Sequence, residues 1–203
     1  LSAQSEYNYF VRLPPSDSLQ GVAMAEIIKN VAGVDSFMTI AGDNEYSKAG
    51  VEELIQIANN SRSLNAIHQF NIVSSPDRNA VLDESKLENI LREIQNKNCN
   101  VVAVFAQEDE YKVLFETAAK LGVKDIKWIV SETFDAYFQT YNAEMTQPVK
   151  NILLGALSLF MENGKNLNAA GARYLHLQDV WNRQNKTGIA DMHIDLSSSS
   201  LCS

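Results

Sequence analysis

Residues 101 to 106 read VVAVFA, an unbroken apolar run closed by Asn100 before it and by Gln107-Glu108-Asp109-Glu110 after it. The run is too short to cross a bilayer, which takes about 20 residues in a helix. It is too uniform for a strand with one wet face. It fits a strand buried on both faces of a parallel sheet, where near-continuous β-branched and apolar residues replace strict alternation. Parallel neighbours need crossover connections, usually helical. The rest of the chain is therefore expected to alternate strands with helices.

The pattern along the chain does so. Tyr7 to Leu13 reads as a strand closed by Pro14-Pro15, and Asp17 to Val31 as a helix that Ser16 or Asp17 can cap. Phe37 to Ala41 is a short strand and Tyr46 to Asn59 a helix. Leu64 to Val73 alternates as a strand, Ser74 to Asn79 is a loop, and Glu84 to Lys97 is a helix. After the central strand, Tyr111 to Leu121 is a helix stopped by Gly122. Ile126 to Val130 is a strand, Ser131 to Tyr141 a turn and short helix, Ile152 to Phe160 a strand, and Ala170 to Arg183 a last helix. The expected fold class is α/β: an open, mostly parallel, doubly wound sheet with helices on both faces. Residues 1–184 form the expected domain and residues 185–203, ending SSSSLCS, a polar disordered tail.

Composition narrows the partners. The chain has 203 residues, is 45% hydrophobic and carries a formal net charge of -8. That suffices for one buried core, and without a Lys/Arg cluster it argues against nucleic acid or an anionic membrane surface. The opening LSAQSEYNYF has neither the basic nor the apolar region of a signal peptide, and the chain is expected to be a piece of something longer. Cys99 and Cys202 form no CxxC; they are open to mutual pairing, to pairing elsewhere, or to remaining reduced. Asn59 and Asn185 head N-x-S/T triplets and are possible glycosylation sites on the secretory route.

Nucleotide and hydrolase signatures are missing: there is no GxGxxG, GxxxxGK[ST] or GxSxG. His68, His176 and His193 lie at no metal-ligand spacing, so no metal or cofactor is expected. The acidic run Glu108-Asp109-Glu110 reads most simply as the solvated start of a helix, favoured by the helix dipole.

In sheets of this kind ligands sit beyond the carboxyl ends of strands. That rule selects three loops: Pro14 to Asp17, Gly42 to Tyr46, and Ser131 to Phe134. Each carries a group suited to an ammonium. Asp17 and Glu132 offer carboxylates, and Tyr46 a hydroxyl and an aromatic face. Each also has a plainer reading, with Asp17 as a helix cap, Tyr46 as a packing residue and Glu132 as a solvent-facing acid.

Four stretches carry a resemblance. They are LSAQSEYNYFVRLPPSDSLQGVAMAEII, AGDNEYSKAGVEEL, NVVAVFAQEDE with KVLFETAAKLGV, and IKWIVSETF. Together they span about Leu1 to Phe160 and resemble the extracellular ligand-binding region of class C G-protein-coupled receptors, metabotropic glutamate receptors above all. More distant relatives of the pattern are ionotropic receptor amino-terminal domains, natriuretic peptide receptors and bacterial amino-acid binding proteins. The resemblance implies one lobe, the second and membrane-proximal one, of a type I periplasmic-binding-protein clamshell. It implies that Asp17 accepts from a ligand's α-amino group, that Tyr46 packs against that ammonium, and that Glu132 stands where the family has an aspartate. Glu132 departs from the pattern by one methylene, and Thr133-Phe134-Asp135 replaces a glycine-rich continuation. The implied partners are a small amino-acid-like ligand, the first lobe of the same receptor, and a second ectodomain in a homodimer or heterodimer, on the extracellular side of the plasma membrane. A transporter's solute-binding protein and a degenerate lobe that only dimerises are the competing readings. An enzyme is disfavoured, although fold alone does not exclude one.

Overall fold

The computed structural model describes residues 18–61, 63–73, 82–97 and 99–159, all within the unit Leu1–Phe160. The expected strand at Tyr7 to Leu13, the loop at Ser74 to Asn79, the helix at Ala170 to Arg183 and the tail lie outside the described residues.

The element order is α1 (Ser18–Glu26), continued by a π-helical turn (Ile27–Val31), β1 (Ser36–Ala41), α2 (Glu45–Ser61), β2 (Asn65–Asn71), α3 (Glu84–Asn96), β3 (Val101–Phe105), α4 (Glu108–Lys120), β4 (Lys127–Val130), α5 (Thr133–Tyr141), α6 (Gln147–Ile152) and β5 (Leu157–Ser158). The five strands form one sheet in the order β2-β1-β3-β4-β5. Every pairing is parallel, so the sheet is open and doubly wound, as the sequence predicts. Ala41 lies opposite Phe105, and Val104 opposite Val130. The carboxyl ends of the three central strands thus reach one edge together.

All five residues of β3 are buried, and their side chains alternate between two cores. Val102 and Val104 join Met38, Ile40, Trp128 and Val130 under α3 and α4, where Leu87, Leu91, Ile94, Leu114 and Phe115 pack. Val101, Ala103 and Phe105 join Phe37, Ala41 and Ile129 under α1 and α2, against Met24, Ile28, Val51, Leu54 and Ala58. The α3–α4 side also holds an aromatic cluster. Phe115 meets Trp128 edge-on at 5.4 Å between centroids, and Tyr111 meets Phe134 at 5.5 Å. Because Phe134 and Tyr137 of α5 are in this cluster, the chain leaving β4 is held against the core.

One element differs from expectation. Ile152 to Phe160 reads as a strand, but only Leu157–Ser158 pairs with β4, and the preceding apolar residues end helix α6. Pro148 sits in the first turn of that helix, where its missing N–H costs nothing. Gly155 then breaks the run at φ 82°, a left-handed conformation that favours glycine. Among the described residues no helix is long and apolar enough to cross a membrane.

Gly50 of α2 lies so close to the sheet that a Cβ there would stand 2.4 Å from the Phe105 ring. Phe105 is fully buried and the ring cannot swing into solvent. Gly50→Ala is therefore expected to destabilise the fold by about 1–3 kcal/mol through overpacking, against the roughly 1 kcal/mol that alanine gains over glycine in a helix. Urea unfolding measures the balance. A stabilised variant would mean that the two elements separate easily.

Candidate functional site

Two of the three selected loops lie at the carboxyl edge of the sheet among the described residues. The loop after β1 leads into α2, whose first turn carries Tyr46; the loop after β4 leads into α5 and carries Glu132. Asp17 precedes Ser18 in the chain and lies outside the described residues. Asn185, His176, His193 and Cys202 do so as well.

Gln20, in the first turns of α1, joins the two loops. Its Oε1 lies 3.2 Å from the Tyr46 hydroxyl and 3.4 Å from the Glu132 backbone nitrogen. The backbone N–H can only donate, so the amide atom that faces it is the oxygen. The Tyr46 hydroxyl must then be a donor to the same oxygen. The Tyr46 ring is half-buried and stands edge-on to Phe105 at 6.4 Å. Packing and polar roles therefore coexist in this residue. Burial raises the Tyr46 phenol above its ordinary value, the Ser131 hydroxyl opposes that rise, and the nearby Glu132 charge adds to it.

Behind Tyr46 lies a set of hydroxyls whose donors can be followed one by one. Tyr111 donates to Val104 O at 2.9 Å and accepts from Ser131 N at 3.0 Å. Thr133 donates to Ala106 O at 2.6 Å. The Ser131 hydroxyl lies 2.9 Å from Tyr111 and 2.8 Å from Thr133. With the other two protons committed to carbonyls, its single proton is available to these two oxygens and to the Tyr46 hydroxyl. The hydroxyl set pins the carboxyl end of β4 to that of β3 directly beneath Glu132.

Glu110 corrects the reading of the acidic run. It is a buried carboxylate, not a solvated one. Its two oxygens accept from Gln107 N at 2.7 Å, Asp43 N at 2.9 Å and Asn44 Nδ2 at 3.3 Å. It thus caps its own helix and ties the β1 loop to the β3 loop. Gly42 makes room for it, since a Cβ there would fall on the carboxylate. Asp109, by contrast, accepts from the Tyr141 hydroxyl at the surface. Lys48 bonds Asp43 at 2.8 Å on the outer side of the same loop, and Asn44 Oδ1 accepts from Ser47 N at the start of α2. Tyr46 therefore stands at the start of a helix whose entry loop is fixed from both sides.

The remaining candidates are elsewhere. Asn59 is exposed in the last turn of α2. His68 lies in β2 as expected, tilted against Phe70 at 4.3 Å between ring centroids, with Nε2 3.6 Å from Glu93. The half-buried Cys99 thiol is 3.4 Å from Ser36 O. Among the described residues no three His, Cys, Asp or Glu side chains converge on a possible metal position. A cavity of about 630 Å³ opens at the amino ends of β3 and β4, beside Asn100, Trp128 and Asn151, the opposite end of the sheet from these loops.

An open, all-parallel sheet with polar residues gathered at one carboxyl edge defines an α/β lobe of the periplasmic-binding-protein kind. The comparison with known proteins gives the family. The model of the receptor family ligand binding region matches residues 1–179, and the chain belongs to that family, as a class C G-protein-coupled-receptor ligand-binding region. It is 30% identical over 135 residues to metabotropic glutamate receptor 8 of Homo sapiens, which covers 66% of this chain and 14% of that protein. Against the extracellular calcium-sensing receptor of Bos taurus the figures are 28% over 138 residues, 66% and 12%. Against metabotropic glutamate receptor 6 of Oryctolagus cuniculus they are 24% over 163 residues, 78% and 17%. The chain thus spans less than a fifth of each of these relatives. The family is one of receptor ligand-binding regions rather than of enzymes.

Sequence reasoning puts Tyr46 and Glu132 at the carboxyl edge, but it gives no role to Gln20, none to the hydroxyls of Ser131 and Thr133, and does not turn Glu110 inward. Gln20 stands three residues after Asp17 in the receptor-like opening stretch, and that spacing was the available signal. Nothing in the run Glu108-Asp109-Glu110 marks which acid turns inward.

Two outcomes are expected. Glu110→Ala leaves three donors facing no acceptor and is expected to cost about 3 kcal/mol in urea unfolding; Asp43 and Gln107 should lose amide-exchange protection before α3 does. Base should unfold the protein. Burial raises the Tyr46 and Tyr111 phenols above 10.0 and, with the Glu116 charge, takes Tyr137 to about 12. The unfolded chain ionises first, so stability is full below pH 10.0 and is lost as pH rises through the native values. Tyrosine ionisation followed by near-ultraviolet absorbance should coincide with loss of helical circular dichroism.

Proposed function

We propose that this chain is the second, membrane-proximal lobe of an extracellular amino-acid-sensing receptor, and that it supplies half of a cleft that takes the α-amino group of a small amino-acid-like ligand. The observation that carries this reading is the gathering of Tyr46, Gln20 and Glu132 at the carboxyl edge of the sheet, with Asp17 one residue before α1 begins. The glutamate named in two of the relatives is itself an α-amino acid.

In this reading the ligand is first held by a separate lobe. Asp17 and Glu132 then neutralise the ammonium, and Tyr46 presents its oxygen and its ring. Contacts made only in the closed clamshell shift an open–closed equilibrium toward closure, which is the signal. The lobe performs no covalent chemistry. Its partners are that first lobe and a second ectodomain, as a homodimer or heterodimer. Its place is the outer side of the plasma membrane, where the exposed Asn59 and also Asn185 would carry glycans. Residues 1–184 make up the lobe and 185–203 a tail beyond it.

An amide-shift titration of the chain with a panel of free α-amino acids tests this. Shifts are expected at Gln20, Tyr46 and Glu132. Asp17→Ala removes a charge-assisted bond worth about 1.5–3 kcal/mol, and is expected to weaken binding about ten- to a hundred-fold with little change in unfolding. Undiminished affinity in the folded fraction of that variant would refute the ligand role of Asp17 and leave it a helix cap.

A further inference from the structure

We infer that Gln20 is a positioning residue that makes Tyr46 a hydrogen-bond acceptor, and so sets the site's preference for amine donors; this rests on the ligand reading above. The argument is one of protons. The Gln20 oxygen faces a backbone N–H that can only donate, at 3.4 Å. The Tyr46 hydroxyl, 3.2 Å from the same oxygen, therefore spends its one proton there. What the phenol can still offer is its lone pairs. A ligand ammonium supplies protons and finds an acceptor. A ligand oxygen at the same place finds lone pairs and is repelled.

The arrangement is built rather than incidental. Gln20 sits on α1, Tyr46 on α2 and Glu132 between β4 and α5, so one side chain spans three separate elements. Gly21, the next residue, packs closely on α2: a Cβ there would lie 3.1 Å from Glu53 and 3.2 Å from the Leu54 backbone. That contact holds the Gln20 turn at a fixed height above Tyr46. Without the Gln20 acceptor, the phenol proton is released to the Ser131 and Thr133 hydroxyls or to the ligand, and the preference for donors weakens.

The test uses the full chain and three variants: Gln20→Leu, which removes the acceptor; Gln20→Glu, which keeps it; and Tyr46→Phe, which removes the hydroxyl. The probes are the tightest-binding member of a panel of free α-amino acids and its deaminated analogue. Gln20→Leu is expected to weaken the amino acid about ten-fold and to narrow its advantage over the analogue, while Gln20→Glu retains both. In the Tyr46→Phe background most of the Gln20→Leu effect should disappear. In the ligand-free protein, Gln20→Leu should shift the Tyr46 ring carbon that bears the hydroxyl, and Gln20→Glu should shift it less.

A ligand-free Tyr46 signal that ignores Gln20→Leu overturns the inference whether or not any ligand binds. So does a Gln20→Leu loss that is equally large with and without the Tyr46 hydroxyl, or that Gln20→Glu fails to restore. If no amino acid binds the wild-type chain, the ligand reading itself falls and the inference falls with it. That outcome is distinct from binding that is merely indifferent to Gln20.

Discussion

Burial of β3 on both faces governs where everything else can stand. A strand covered above and below has no place for a polar side chain along its length, and its backbone groups are spent on β1 and β4. Polar chemistry is displaced to the strand ends. Since β1, β3 and β4 are parallel and in register, their carboxyl ends arrive together. Tyr46, Ser131, Glu132 and Thr133 meet at that edge without having to be near one another in the chain.

How much of this could be read beforehand depends on which signal carries it. The apolar run at Val101 to Ala106 and the helical spacing of residues such as Leu87, Leu91 and Ile94 report burial directly, and the described strands and helices follow them closely. The stretch Ile152-Leu153-Leu154 is apolar too, but periodicity over so few residues does not separate a strand from the end of a helix. Pro148 ahead of it and Gly155 behind it held the answer. The acidic run failed for another reason. Successive helical residues point about 100° apart, so Glu108, Asp109 and Glu110 face three directions, and only the position of β1 decides which one is buried. Gln20 was hidden because its role is to touch two loops distant in sequence.

The site behaves as a layered structure. Hydrophobic packing brings the strands into register. The hydroxyls of Tyr111, Ser131 and Thr133 then lock one strand end to its neighbour, with Tyr111 on the Val104 carbonyl and Thr133 on the Ala106 carbonyl. Gln20 and Glu110 act above that layer, each joining segments that the sheet alone leaves separate. A receptor lobe has reason to be stiff at this edge. On the proposed reading, it can report a ligand only if its own contribution to the cleft does not rearrange when the two halves of a clamshell meet.

Glu110 also bears on what this fold could become. The crevice between β1 and β3, where the strand order reverses, and the amino end of a helix such as α4 are together the place where doubly wound proteins hold phosphate. Here the chain has filled that place with an anion of its own, seated over a glycine and bonded to the very amides a phosphate would need. Removing the carboxylate leaves those amides without their acceptor, so the change that would admit a phosphate also unfastens the loop.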